Sequence, residues 1–114
     1  MKEGDVIVLP MPQADGKVKN RPAIFLREMP PFKDMLVCGV STQLRQAAKG
    51  FDEIISPGDS DFESSGFLEE SLIRLGFLAV VPSSRIAGSI GSISSERHGR
   101  LLQTLSRYLV SSSS

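Results

Sequence analysis

The chain has 114 residues, 13 basic and 13 acidic, and a net charge of zero at neutral pH. That length suits one domain with a single core burying roughly two-thirds of the unfolded surface, and the even balance excludes a protein that coats nucleic acid by bulk charge. No apolar run approaches membrane-spanning length and the amino end lacks a basic-then-apolar leader pattern, so the expected location is the cytoplasm.

Short extended runs come first. Val6 to Leu9 reads as a strand entered through the Gly4-Asp5 turn and ended by Pro10-Met11-Pro12, since each proline removes a ladder donor. A polar loop, Asp15-Gly16-Lys17-Val18-Lys19-Asn20, leads to a second strand, Arg21 to Arg27. Met35 to Thr42, Phe51 to Ser56 and Ser71 to Val81 continue the pattern in length and in β-branched or aromatic content. Their punctuation is Met29-Pro30-Pro31, Ser56-Pro57-Gly58-Asp59 and Ser64-Ser65-Gly66. Such frequent strands and turns predict a mainly β fold, a small barrel or strongly bent sheet.

From Ser94 the period changes. Leu101, Leu102, Leu105, Tyr108 and Leu109 form one apolar helical stripe, with Ser94 or Ser95 to cap it and Glu96 at its positive end. Arg97, Arg100 and Arg107 lie off the stripe and read as a solvated face, with RNA contact the lesser alternative, and His98 in the first turn reads as solvent-exposed. Residues 1–110 are expected to form the single domain, with 111–114 a frayed serine tail.

Candidate chemistry concentrates in three places. Proline after Arg21 forces that arginine's backbone into an extended conformation, so a fixed cation sits where a loop meets a sheet, with Lys17 and Lys19 nearby. Such a place suits a phosphate. In Ser71 to Ala79, alternation puts Ile73, Leu75, Phe77 and Ala79 on one apolar face, and Arg74 with Gly76 on the other. An arginine there must be ion-paired, with one of the acids between Asp52 and Glu70, or must line a site; Gly76 beside it clears room for a ligand. The third place is the strand end Ser41-Thr42-Gln43, where hydroxyls and an amide also have a local use in bonding their own backbone. Cys38 lies in an apolar strand without a histidine placed to activate it and reads as a small buried hydrophobe. There is no metal-like ligand spacing, no Ser-His-Asp set and no glycine-rich phosphate loop, so neither metal nor cofactor is expected. Any catalysis must run on arginine, hydroxyls and carboxylates.

In order and spacing, these sites resemble the MazF/PemK-like toxins of type II toxin–antitoxin systems. The similarity runs through Gly4-Asp5-Val6, Asn20-Arg21-Pro22-Ala23, Val40-Ser41-Thr42, Leu72-Ile73-Arg74 and the strand-and-helix ending from Ile86 to Leu109. The resemblance implies an SH3-like barrel with a C-terminal helix and a homodimer with a cognate antitoxin protein. It also implies metal-independent cleavage of single-stranded RNA to 2′,3′-cyclic phosphate and 5′-hydroxyl ends. Carried over residue by residue, it makes Arg21, Ser41 and Arg74 the catalytic set, with serine at 41 where threonine is usual. Asp15, Lys17, Lys19, Thr42 and Gln43 are the accompanying RNA-binding candidates. Many members carry an acidic base two places after the late-strand arginine, and here that position is Gly76. Asp15 is then the candidate base by reach, because Glu70 stands four residues from Arg74 along the strand. The alternative reading is a weak or inactive member that binds an antitoxin or nucleic acid without cutting.

Overall fold

The computed structural model describes residues 1–12 and 14–111, so the expected serine tail beyond Ser111 lies outside the described residues. Strands β1 (Asp5–Pro12), β2 (Val18–Met29), β3 (Asp34–Ser41), β4 (Glu53–Ile55), β5 (Ser71–Val81) and β6 (Gly88–Ser92) make one six-stranded sheet in the order β4-β5-β3-β2-β1-β6. All its pairings are antiparallel. A one-turn helix α1 (Phe62–Ser65) and the long α2 (Ser95–Val110) complete the chain. The fold is mainly β with a C-terminal helix, as expected.

The sheet curls because both of its faces must be covered. One face carries Val6, Ile24, Leu26, Cys38 and Ile73 and packs beneath Leu101 and Leu105 of α2. The other gathers Ile7, Leu9, Ala23, Phe25, Met35, Val37 and Val81 into a second cluster. Burial on both faces explains why β1 and β2 read as nearly continuous apolar runs rather than alternating ones. Each fully buried Leu or Ile contributes about 1.5–3 kcal/mol. Register shifts between Phe25 and Arg27, and between Val6 and Ile7, bend the strands as bulges do.

The prolines do not end β1. It runs on to Pro12, pairing Pro10 with Asn20 and Pro12 with Val18. Its pairing with β6 stops at Val8, and Pro22 of β2 precedes the first β2–β3 pair, Ala23 with Gly39. Each proline therefore has a neighbouring strand on one side only, where a missing donor is tolerated. Gly4, at φ 95°, makes the turn into β1 while its N–H donates to the Phe25 carbonyl at 2.7 Å.

Ser94 caps α2, its Oγ accepting from the Arg97 N–H at 3.1 Å. The solvated helix face fails at two residues. Arg97 is 7% exposed and donates to Asp61 at 2.8 Å, Glu53 at 2.8 Å and Asp59 at 3.0 Å. His98 is half-buried, with Nε2 2.7 Å from the Leu26 carbonyl; a carbonyl only accepts, so Nε2 carries the hydrogen. Arg100 does reach the surface, holding Glu53 from outside at 2.8 Å. The acids between Asp52 and Glu70 thus anchor α2 to β4 and α1. Helical period alone could not reveal this, because the partners lie more than thirty residues away in sequence.

Candidate phosphate-binding groove

At one end of the second cluster the sheet opens into a groove of about 420 Å³. It is built by register. Ala23 of β2 pairs with Gly39 of β3, and Gly39 pairs with Arg74 of β5. Arg21 lies two residues before Ala23 on the same face of β2, opposite Leu9. Ser41, two residues beyond Gly39, ends β3 and carries the chain into Thr42 and Gln43. Arg21, Ser41, Thr42, Gln43 and Arg74 all line this groove, although they come from three strands and a loop. Tertiary structure therefore assembles the three places that the sequence singled out separately.

The local geometry refines each role. Ser41 Oγ accepts from the Gln43 N–H at 3.0 Å, so the local backbone use is real. A hydroxyl that accepts there still has its own hydrogen to donate into the groove. Arg74 is half-buried, and among the described residues no carboxylate forms an ion pair with it. Its guanidinium carbon instead stands 5.7 Å from the centroid of the Phe77 ring. Of the acids that are candidates for pairing with it, Glu53, Asp59 and Asp61 hold Arg97, and Glu70 accepts from the Ser56 hydroxyl at 2.5 Å.

The alternation expected along β5 does not hold. Gly39 faces Arg74, but Cys38 faces Leu78, so Leu75, Gly76 and Phe77 form a bulge with no opposite residues. Arg74 and Phe77 consequently share the groove, while Leu75 and Gly76 line a different one beneath α2, with Phe51, Leu78, Leu105 and Tyr108. Leu75 is buried, whereas Phe77 and Ala79, expected on its face, are exposed. A carboxylate at position 76 would not stand beside Arg74. Gly76 is thus no vacancy in the groove.

Asp15, Lys17 and Lys19 are exposed in and after the β1–β2 turn, and none is among the residues lining the groove. Asp15 Oδ1 accepts from the Lys17 N–H at 3.0 Å, a local turn bond. Among the described residues no Asp, Glu or His lines the groove. Two residues that matter to it were not singled out. Phe77 is one, hidden because its place depends on the bulge. The other is Asp52, whose Oδ1 accepts from the Leu75 N–H at 3.0 Å and whose Oδ2 accepts from Ala48 N–H at 2.8 Å. Cys38 is inert as expected: burial pushes its thiol up to about 12.

The chain thus forms a curled antiparallel half-barrel with one C-terminal helix, carrying a two-arginine groove at a strand bulge. The chain belongs to the PemK-like, MazF-like toxin family of type II toxin–antitoxin systems, whose family model matches residues 2–109. Among curated proteins none matches the chain. Among the described residues no helix is long and apolar enough to cross a membrane.

Proposed function

We propose that this protein is a cytoplasmic toxin that cleaves single-stranded RNA without a metal, leaving 2′,3′-cyclic phosphate and 5′-hydroxyl ends. The observation that carries the reading is the convergence of Arg21, Ser41 and Arg74 on one groove within a toxin of this family. In that reaction the 2′-hydroxyl loses its proton to hydroxide as its oxygen attacks the adjacent phosphorus, the bond to the 5′-oxygen breaks, and that oxygen takes a proton from water. Charge grows on the two non-bridging oxygens as the new bond forms. Two guanidinium forks meet those oxygens with paired donors. A guanidinium barely gives up its proton near neutral pH, so the arginines act by charge stabilisation. Thr42 and Gln43 offer polar contacts to the neighbouring sugar and base, with Lys17 and Lys19 on the approach as long-range cations.

The protein acts as a homodimer held in check by an antitoxin protein. Support for the dimer comes from β5, because β4 pairs only with Ser71 to Ile73 and leaves the rest of that edge open. Leu78 at 40% exposure and Val80 at 55% lie along it, and the α2 end with Tyr108 and Leu109 adjoins it. An apolar open edge of that length invites a second strand.

Among the described residues no carboxylate or histidine lines the groove, which favours a second reading, a member that binds RNA or antitoxin but cuts slowly or not at all. Incubating the purified protein with mixed-sequence RNA in EDTA, then mapping the ends, decides between them. Cyclic phosphate ends that vanish in Arg21→Lys support the toxin reading. Intact RNA at stoichiometric protein supports the binding module.

A further inference from the structure

We infer that Phe77 is the platform on which a nucleobase beside the bound phosphate stacks, making it a specificity-determining residue of the groove. The inference rests on the RNA-binding reading above and names how that groove tells a nucleotide from a bare phosphate.

The bulge of β5 supplies the geometry. It turns Phe77 out of the expected core row into the groove that holds Arg21, Ser41 and Arg74, where the residue is 45% exposed. Gly39 lets the ring lie against β3, since a Cβ there would stand 2.8 Å from Phe77 Cδ1. The ring is thus seated on one flank and open to the groove on another. Arg74 stands over the ring, 5.7 Å from guanidinium carbon to centroid, so a base stacking there settles against the ring at the guanidinium's edge or moves that side chain aside. A base laid on the open ring brings the phosphate of its own nucleotide next to that cation. Aromatic rings flanked by arginine are how proteins hold single-stranded bases with little demand on sequence. The remaining lining offers no second aromatic ring among the described residues, so Phe77 carries this role in the groove.

The chain contains no tryptophan, so Phe77→Trp places a single tryptophan, excited apart from Tyr108, at the platform. The probes are mixed-sequence 2′-O-methyl RNA, which cannot form the cyclic phosphate, and an abasic strand of equal length and charge. Binding is followed independently by anisotropy of an end label. Base-bearing RNA is expected to quench the Phe77→Trp emission and the abasic strand is not. Phe77→Leu should weaken base-bearing RNA by about 5- to 150-fold while leaving the abasic strand unchanged, and Phe77→Tyr should restore the affinity. Equal weakening of both strands by Phe77→Leu, or saturated RNA binding with unquenched tryptophan, overturns the stacking role and leaves the RNA-binding reading intact. Failure of the wild-type protein to bind or cut any RNA overturns that reading and this inference together.

Discussion

Asp52 holds the bulge of β5 by accepting the Leu75 N–H on Oδ1 at 3.0 Å, and its other oxygen takes the Ala48 N–H at 2.8 Å. The Leu75 amide begins the stretch without an opposite residue on β3, so a strand partner cannot satisfy it there. One carboxylate, supplied by the loop before β4, therefore stabilises the local geometry that turns Phe77 toward the groove. Asp52→Ala leaves two amides without their acceptor, and a loss of about 1–3 kcal/mol is expected. Urea unfolding should show a lower midpoint with an unchanged slope. A midpoint within error of the wild type would mean water replaces the carboxylate without cost.

Arg21→Lys and Arg74→Lys keep the charge but lose the fork. Each should lower RNA cleavage by about 10²–10³ in rate, the typical loss of one preorganised donor to a developing oxyanion. Global stability should stay within about 0.5 kcal/mol for exposed Arg21 and fall by no more than about 1 kcal/mol for half-buried Arg74. Should Arg74→Lys unfold the protein instead, its role is structural and the groove assignment is wrong.

Catalysis in this groove has no carboxylate or histidine to act as base among the described residues. General base assistance typically supplies about 10²–10⁴ in rate, so cleavage should be slow. It should also rise steadily with pH from about 6 to about 9, as hydroxide takes the place of the base. A rate that levels off just above the ordinary carboxylate range and collapses in Asp15→Asn would show that the turn after β1 supplies the base. The same plateau without sensitivity to Asp15 would point to a carboxylate of the second subunit.

Arg97 and Asp61 make the buried ion pair that docks α2. Burial alone would raise the Asp61 carboxyl, but hydrogen bonds from Arg97 and the Ser94 N–H, with the Arg97 charge, hold it below its ordinary value. A carboxyl with a lowered folded pKa contributes stability above its unfolded pKa and loses it as pH falls through the folded one. The pair's contribution should therefore be fully present and independent of pH near neutrality, and thermal midpoints should fall as the solution is acidified below about pH 4. Asp61→Asn should flatten that acid limb. Because it leaves Arg97 buried with weaker partners, it should also cost about 3–5 kcal/mol at neutral pH.

A dimer is expected in solution at micromolar concentration. Val80→Lys, on the open edge of β5, should shift light scattering from dimer to monomer by placing a charge where a second strand would pair. A monomeric wild-type protein defeats the proposed assembly.

Much of this molecule was legible in its residues because local physics decides those parts. Five strands and the helix follow from apolar spacing, and a cap at Ser94 or Ser95 from capping chemistry, the structure choosing Ser94. Arg21 is legible because the following proline restricts its backbone whatever the surroundings. The strand end at Ser41 and the cation on β5 could likewise be read in place, and their order carried the family resemblance. Tertiary structure decided what alternation could not. Period-2 reading assumes an unbroken ladder, and the stretch from Leu75 to Phe77 breaks it, sending Gly76 beneath α2 and Phe77 into the groove. The prolines of β1 are tolerated only because β6 stops pairing at Val8, a fact of strand order rather than of sequence. Arg97 looked like a surface residue because its three carboxylates are remote in the chain, and only folding brings opposite charges together closely enough to offset the burial of each.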